Sequence, residues 1–267
     1  MEPLRILVCI KEIQDPEIAA SVFRVDEQRK EVIPLPGLPL VTSPFDEQAV
    51  EAALRIRDRG RECRITVLTF GPGDAQRAIK RALSMGADDG IHVSNTGMER
   101  ADSVATAHVL AAAIRTAGEF DLILTGRQAA DWDAGIVGCG VAELVRIPVV
   151  TFAKSIQVEE GRVVVERVLD DGFETVEAPM PCVVTVSNEL GEPRKASLRE
   201  TMRAAKKPTQ LFNLEAIGIK PDSVERLQER ERLFMPAKDI KCEFVTGSSP
   251  QETASRIVSR LSAAKLL

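Results

Sequence analysis

Short apolar runs alternate with helical patterns through the first 150 residues of this 267-residue chain, and this alternation constrains the fold more than any other feature. Each run is short and continuous, as is typical of a strand buried on both faces. The four runs are Leu4–Ile10, Arg64–Phe70, Ile91–Val93 and Asp121–Thr125. Between them, apolar residues recur at helical spacing. Strands and helices in this order predict a doubly wound, mostly parallel α/β sheet.

The pattern changes after Val150. Polar and apolar residues alternate, and Glu160-Gly161 and Asp171-Gly172 interrupt them, which predicts an antiparallel β meander over about 151–186. A polar loop (188–198) and a basic helix follow. The last 60 residues lack a core pattern of their own. We therefore predict an α/β domain over 1–207, and a C-terminal arm over 208–267 that docks on another surface.

The stretch from Asp121 to Arg146 has the most informative local pattern. A buried strand leads into the loop 126–133, and glycines at 135, 138 and 140 then open a helix. A helix that starts in this way presents unpaired backbone N–H groups to an anion, so a nucleotide phosphate is expected here. The alternative is an ordinary turn with glycines for packing. Ligands of such sheets bind at the carboxyl ends of the strands. The segments expected to converge there are Cys9–Asp15, Ser43–Asp46, Phe70–Gly73 and Gly126–Val137.

Composition excludes several classes of function. A net charge of −5 provides no basic surface for nucleic acid. No apolar run reaches the length of a membrane span, so direct membrane insertion is not expected. Five scattered cysteines form no C-x-x-C pair, which indicates reduced thiols and a cytoplasmic location. The two histidines are isolated, and the motif-bearing loops hold no nucleophile–histidine pair. We therefore expect neither catalytic residues nor a metal site.

Five linked stretches resemble the beta subunit of electron-transfer flavoproteins. Leu7–Asp15 is similar to that family's opening V-x-V-K-x-V-x-D, and Ser43–Leu54 resembles its N-P-F-D-E helix start. Gly71-Pro72 together with Ala82–Asp88 matches G-P…A-L-x-M-G-A-D. Gly126–Asp133 matches G-[KR]-Q-A-x-D-x-D, and Gly191–Leu198 resembles the N-E-P-R-Y-x-x-L loop. The five occur in the family's order and cover nearly the whole chain.

The resemblance implies a Rossmann-like, adenine-nucleotide-binding subunit without substrate chemistry of its own. Its partner would be an alpha subunit, at or with which one FAD is bound, and this chain would hold AMP or a second FAD. Electrons would come from acyl-CoA-type dehydrogenases and leave to a quinone oxidoreductase or another acceptor. The residues implied to line the nucleotide are Cys9, Ser43, Pro44, Phe45, Asp46, Phe70, Gly126, Arg127, Gln128, Ala129, Asp131, Asp133, Ala134, Gly135, Ile136 and Val137.

Two residues of the loop have open roles. Arg127 is expected either to meet phosphate or flavin charge, or to pair with Asp131 or Asp133. Trp132 is unusual for the family at this place. It would either stack on a ring of the cofactor or pack under its own loop. The chain also departs from the family at Ala134-Gly135-Ile136, where hydroxyl and amide side chains are usual. Phosphate binding would therefore depend on backbone groups.

The resemblance also implies a recognition loop over about 188–198. Glu192, Pro193, Arg194 and Leu198 are the implied partner-binding residues, and Leu198 would anchor in an apolar pocket of the dehydrogenase. The basic residues that follow would complement an acidic partner or form a solvated helix face. Two other classes remain as alternatives to the redox carrier: a nucleotide-dependent enzyme and a nucleotide-sensing module on a similar sheet.

Overall fold

The computed structural model describes residues 2–236 and 242–267. Its strands are β1 Leu4–Cys9, β2 Glu12–Ile13, β3 Val25–Asp26, β4 Glu31–Val32, β5 Val41–Thr42, β6 Cys63–Gly71, β7 Asp89–Ser94, β8 Leu122–Gly126, β9 Val149–Glu159, β10 Arg162–Leu169, β11 Gly172–Pro179, β12 Cys182–Val186 and β13 Thr209–Phe212. Its α-helices are α1 Pro44–Asp58, α2 Gln76–Met85, α3 Ser103–Ala117, α4 Val137–Val145, α5 Leu198–Ala204 and α6 Pro250–Ala263.

Nine strands form one sheet in the order β11-β10-β9-β12-β8-β1-β6-β7-β13. From β9 to β13 the neighbouring strands are parallel, whereas β9, β10 and β11 pair antiparallel. The predicted fold class, a doubly wound and mostly parallel sheet with an antiparallel meander, is therefore confirmed. None of the helices in the described residues is long and apolar enough to cross a membrane.

Helices cover both faces of the sheet because successive strand residues point to opposite sides. In β1, Ile6 and Val8 belong to the core cluster that includes residues of α1 and α2. Leu7 between them belongs to the cluster that includes residues of α3 and α4. All three side chains are fully buried. Burial of each such side chain contributes about 1.5–3 kcal/mol, which explains why the strand reads as an uninterrupted apolar run.

The chain divides into two compact units. The first comprises residues up to 24 and 32–231, and the second comprises 25–31 and 232–267. The predicted boundary after residue 207 thus lies inside the first unit, where β13 pairs with β7. Leu214 and Ile217, which follow β13, are buried in the second core cluster. These apolar positions are too few to be read as a core pattern. In the second unit, Ser249 caps α6 by accepting from the Glu252 N–H (3.2 Å).

One buried carboxylate ties together the ends of the central strands. Asp46, in the first turn of α1, is 7% exposed. Its Oδ2 accepts from the Lys11 N–H (2.8 Å), and its Oδ1 accepts from the Gly126 N–H (3.1 Å). The loops after β1 and β8 are thereby fixed to the same helix. Burial raises the pKa of Asp46 to about 7, against the lowering effect of these two N–H groups.

Replacement of Asp46 by asparagine tests this tie. In Asp46→Asn the amide keeps one acceptor oxygen, but its NH2 group faces the second N–H donor. We expect the free energy of unfolding to fall by about 1–3 kcal/mol, the cost of one unsatisfied buried donor. Urea unfolding followed by circular dichroism measures the change. Asp74→Asn is the control, because Asp74 pairs with Arg77 at the surface, and it should change the midpoint little.

The same variant tests the raised pKa. The folded chain holds the Asp46 proton more tightly than the unfolded chain. The tighter proton binding stabilises the folded chain. This stabilisation is complete below about pH 4, and it is lost as the pH rises through about 7. The stability difference between wild type and Asp46→Asn should shrink as the pH is raised from 5 to 8. A difference that grows over this range would contradict the assignment.

Candidate functional site

Three of the four segments expected to converge meet at the carboxyl ends of β1 and β8. Besides the Asp46 tie, the Ser43 N–H donates to the Lys11 carbonyl (2.9 Å), and the Ala130 N–H donates to the Ser43 hydroxyl oxygen (3.4 Å). The Lys11 ammonium also binds both carboxylate oxygens of Asp131 (2.8 and 2.7 Å). Ser43 occupies the N-cap position of α1, but its hydroxyl oxygen accepts from the Ala130 N–H and from no N–H of the helix.

The loop between β8 and α4 turns through two left-handed residues, Asp133 (φ 49°) and Gly135 (φ 68°). Asp133 holds this turn by donating its N–H to the Ala129 carbonyl (2.9 Å) and accepting from the Gln128 amide (2.8 Å). The Gly140 N–H donates to the Ile136 carbonyl (2.8 Å). The N–H groups at the start of α4 therefore have no helical acceptor. Residues 134–136, which precede the helix, are exposed, Val137 is half-buried and Gly138 is buried. The N–H groups that an anion can reach are therefore those from Ala134 to Val137.

The glycines of this stretch have different physical roles. A Cβ at Gly138 would lie 2.6 Å from the Thr125 Oγ1 and 2.8 Å from the Thr185 Cγ2, and one at Gly140 would lie 2.9 Å from the Ala107 Cβ. These two glycines allow α4 to pack closely on the sheet and on α3. Gly135 instead supplies a positive φ, which costs glycine little. Packing thus explains two glycines, and the turn before the helix explains the third.

Arg127 lies across the base of the loop. Its guanidinium carbon is 5.0 Å from the centroid of the Phe45 ring, and its Nη1 donates to the Ser187 hydroxyl (3.4 Å). The alternative pairing with Asp131 or Asp133 is not formed, since those carboxylates bind Lys11 and Gln128. Within the described residues, the Arg127 Nε is buried and has no hydrogen-bond acceptor. An oxyanion beside the guanidinium would satisfy it.

The remaining predicted nucleotide residues lie around this centre at different depths. Cys9 is buried at the end of β1, and burial, followed by the nearby Asp46 charge, raises the pKa of its thiol to about 12. Pro44 is exposed at the start of α1. Phe70, at the end of β6, packs against the second core cluster. The geometry thus brings Phe45 and Arg127 together and places Cys9 near Asp46, whereas Phe70 lies at the end of β6, the strand next to β1.

Arg194 is the anchor of the predicted recognition loop. Its Nε and Nη2 donate to the two carboxylate oxygens of Glu51 (2.7 and 3.2 Å), and Nη2 also binds Asp58 (2.6 Å). Glu51 is buried on α1 and also accepts from Arg55 (2.9 Å). Burial alone would raise the pKa of Glu51, but the bonds from Arg194 and Arg55 lower it below its usual value. The Arg194 side chain therefore holds its own loop against α1.

The end of this loop presents apolar side chains to solvent. Leu198, the first residue of α5, is 79% exposed, and Met202 one turn later is 67% exposed. The far end of α5 is fixed to α2, because the Lys207 ammonium donates to the carbonyls of Leu83 (3.0 Å) and Ala87. Leu198 and Met202 thus stand on a short helix that is held at both ends, as suits an apolar anchor for a partner.

Several contributors to the site were not assigned from the sequence. Lys11, Ser187 and Glu51 hold the loops that carry the predicted residues, and each acts on a residue far away in the chain. Only the i, i+4 spacing of Glu51 and Arg55 gave a local signal. As for metals, no cluster of histidine, cysteine, aspartate or glutamate in the described ranges suits an ion. The chemistry that the site supports is the binding of an anionic group by backbone N–H groups and one arginine.

Comparison with known proteins places the chain in a family. The family model described as the electron transfer flavoprotein domain matches residues 37–217. The caffeyl-CoA reductase-Etf complex subunit CarD of Acetobacterium woodii is 34% identical over 97% of this chain and 98% of its own. Two proteins named electron transfer flavoprotein subunit beta are also similar. That of Megasphaera elsdenii is 34% identical over 83% and 82% of the two chains, and that of Clostridium acetobutylicum is 32% identical over 97% and 98%.

The matches extend over nearly the whole chain and include the strand ends, the loop before α4 and the Arg194 loop. The chain therefore belongs to the electron transfer flavoprotein family and resembles its beta subunits.

Proposed function

We propose that this chain is the beta subunit of a heterodimeric electron-transfer flavoprotein and that its loop between β8 and α4 holds an adenine nucleotide. In this proposal the nucleotide is AMP or a second FAD, and another FAD is bound at or shared with the alpha subunit. The heterodimer takes electrons from an acyl-CoA-type dehydrogenase and passes them to a quinone oxidoreductase or another acceptor. The flavin supplies the redox chemistry, and the protein binds and orients it.

One observation carries the nucleotide assignment. The loop that leads into α4 is exposed at residues 134–136, and at its base lies a guanidinium whose Nε is buried without an acceptor in the described residues. A phosphate supplies oxygens to both at once, and the positive end of the helix favours its charge. The departure from the family at Ala134-Gly135-Ile136 is compatible with this, since backbone groups need no particular side chain there.

In the proposed complex, the N–H groups of Ala134 to Val137 bind the phosphate, and Arg127 approaches it from the base of the loop. Phe45 supports the guanidinium from below (5.0 Å). Asp46, whose two oxygens are occupied by backbone N–H groups, acts by fixing the loops and not by touching the ligand. The site residues thus bind the nucleotide, orient it or hold the loops around it, and none is assigned a covalent step.

The structure of the recognition loop favours the proposal of a dehydrogenase partner. The half-buried Arg194, bound to the buried Glu51, fixes the loop, while Leu198 projects into solvent. A rigid, exposed apolar side chain surrounded by charge is typical of an interface anchor. The relative from Acetobacterium woodii is named as part of a complex with a CoA-ester reductase, which favours a partner of that chemical class here.

Identification of the bound nucleotides tests the proposal. The chain is co-expressed with its alpha partner, the purified complex is denatured, and the released nucleotides are identified by mass spectrometry. We expect either one FAD and one AMP per heterodimer, or two FAD. The first result would assign a structural nucleotide to this chain, and the second would assign it a redox-active flavin. Release of no adenine nucleotide, or failure to co-purify with an alpha subunit, would overturn the proposal.

Loss of the arginine should weaken nucleotide binding. In Arg127→Ala the ligand loses a charge-assisted hydrogen bond worth about 1.5–3 kcal/mol, so the Kd for AMP should rise about tenfold or more. Titration calorimetry on the full chain measures this affinity. The control is Lys80→Ala, which removes an exposed positive charge on α2 and should leave the Kd unchanged. Equal affinities of wild type and Arg127→Ala would show that Arg127 does not contact the nucleotide.

Truncation of the proposed anchor should weaken the partner contact alone. In Leu198→Ala the apolar side chain is lost, and reduction of the flavoprotein by its dehydrogenase should show a KM about tenfold higher, as for an interface hot spot. The nucleotide content and the unfolding midpoint should not change, because Leu198 is exposed. Leu211→Ala is the matched control, since Leu211 is another exposed leucine, on β13. If both variants behave alike, Leu198 is not the anchor.

A further inference from the structure

Trp132 is the only tryptophan of the chain, and it lies in the middle of the loop between β8 and α4. Its side chain is 44% exposed, so it does not pack under its own loop. The guanidinium carbon of Arg230 lies over the indole, 3.9 Å from the ring centroid. This distance is well within the range of a cation–π contact. Trp132 therefore has a partner from a distant part of the chain.

Arg230 belongs to a segment, residues 224–230, that we call the strap. The strap is anchored at its start, where Val224 packs against the second core cluster. The N–H groups of Leu227 and Gln228 donate to the Oδ2 of Asp102 (2.7 and 2.8 Å). The Oδ1 of Asp102 accepts from the Ala105 N–H (2.7 Å) and so caps α3. One carboxylate thus fixes both the start of a core helix and the strap.

The strap meets the loop at Trp132, whereas the bonds from the β12 side hold only its base at Arg127. On the β1 side, Lys11 binds Asp131, and the Trp132 N–H donates to the Asp131 Oδ1 (3.0 Å). This ion pair is partly exposed and contributes little on its own. Beyond Trp132 the chain passes through Gly135, which has wide conformational freedom. The Arg230–Trp132 contact holds the loop from the α3 side, immediately before the N–H groups of α4.

We propose that Arg230 and Trp132 are positioning residues, which hold the loop between β8 and α4 in the conformation that receives the nucleotide phosphate. The inference rests on the proposed nucleotide site and adds to it a support that the loop itself does not contain. Backbone N–H groups bind an anion well only if they are fixed in direction before binding, because ordering the loop on binding costs conformational entropy. The strap orders the loop when the chain folds, so that less entropy is lost when the ligand binds.

The single tryptophan makes the contact measurable. In Arg230→Ala, acrylamide should quench the Trp132 fluorescence more strongly than in wild type, and the Kd for AMP should rise about two- to fivefold, as expected for loss of one exposed cation–π contact. Arg230→Lys keeps the positive charge and should restore most of both properties. Arg226→Ala removes another exposed arginine of the strap, and it should behave as wild type in both measurements.

Different failures are distinguishable in this experiment. If wild type binds AMP and Arg230→Ala binds it equally well, the positioning role is overturned while the nucleotide site stands. An equal loss of affinity in Arg226→Ala would also overturn the positioning role, because the loss would then come from the positive charge of the strap and not from the contact with Trp132. If wild type binds neither AMP nor FAD, the proposed function fails, and the positioning role fails with it.

Discussion

The two backbone hydrogen bonds to the Asp46 carboxylate are the interaction on which the site depends. A parallel sheet brings strand ends to one edge, but it does not fix the loops that leave them. Asp46 does so, because one side chain on α1 accepts from Lys11 and from Gly126, the ends of two adjacent strands. A Cβ at Gly126 would lie 2.5 Å from the Asp46 Oδ1, so glycine is needed for this approach. The loop before α4 starts from that fixed point.

Two other charged side chains are also held against a helix. Arg194 is bound by Glu51 and Asp58 of α1, and Lys207 is bound by carbonyls at the end of α2. Burial lowers the pKa of Lys207, since the ammonium loses water there. In both cases the charged group makes its bonds within the chain and so fixes the local geometry. A charged residue in a sequence motif can therefore hold its own loop in place and need not contact a ligand.

The sequence was sufficient for the fold class and for the position of the loop, because both depend on local periodicity and on glycine spacing. It did not predict the role of Arg194, which binds Glu51 at a separation of 143 residues. Nor did it predict the partner of Trp132, since nothing local distinguishes Arg230 from the arginines beside it. The strand Thr209–Phe212 was missed as part of the sheet for a related reason. It is four residues long and mostly exposed, so its pairing with β7 leaves no apolar run to detect.

The buried thiol of Cys9 has a consequence for a protein of this family. Reaction of a cysteine with peroxide requires the thiolate, and a thiol whose pKa is raised to about 12 forms almost none at neutral pH. Cys9 thus behaves as a small apolar residue that fills space at the end of β1. The environment that makes Cys9 chemically inert thus leaves the end of β1 without a thiol that peroxide can attack.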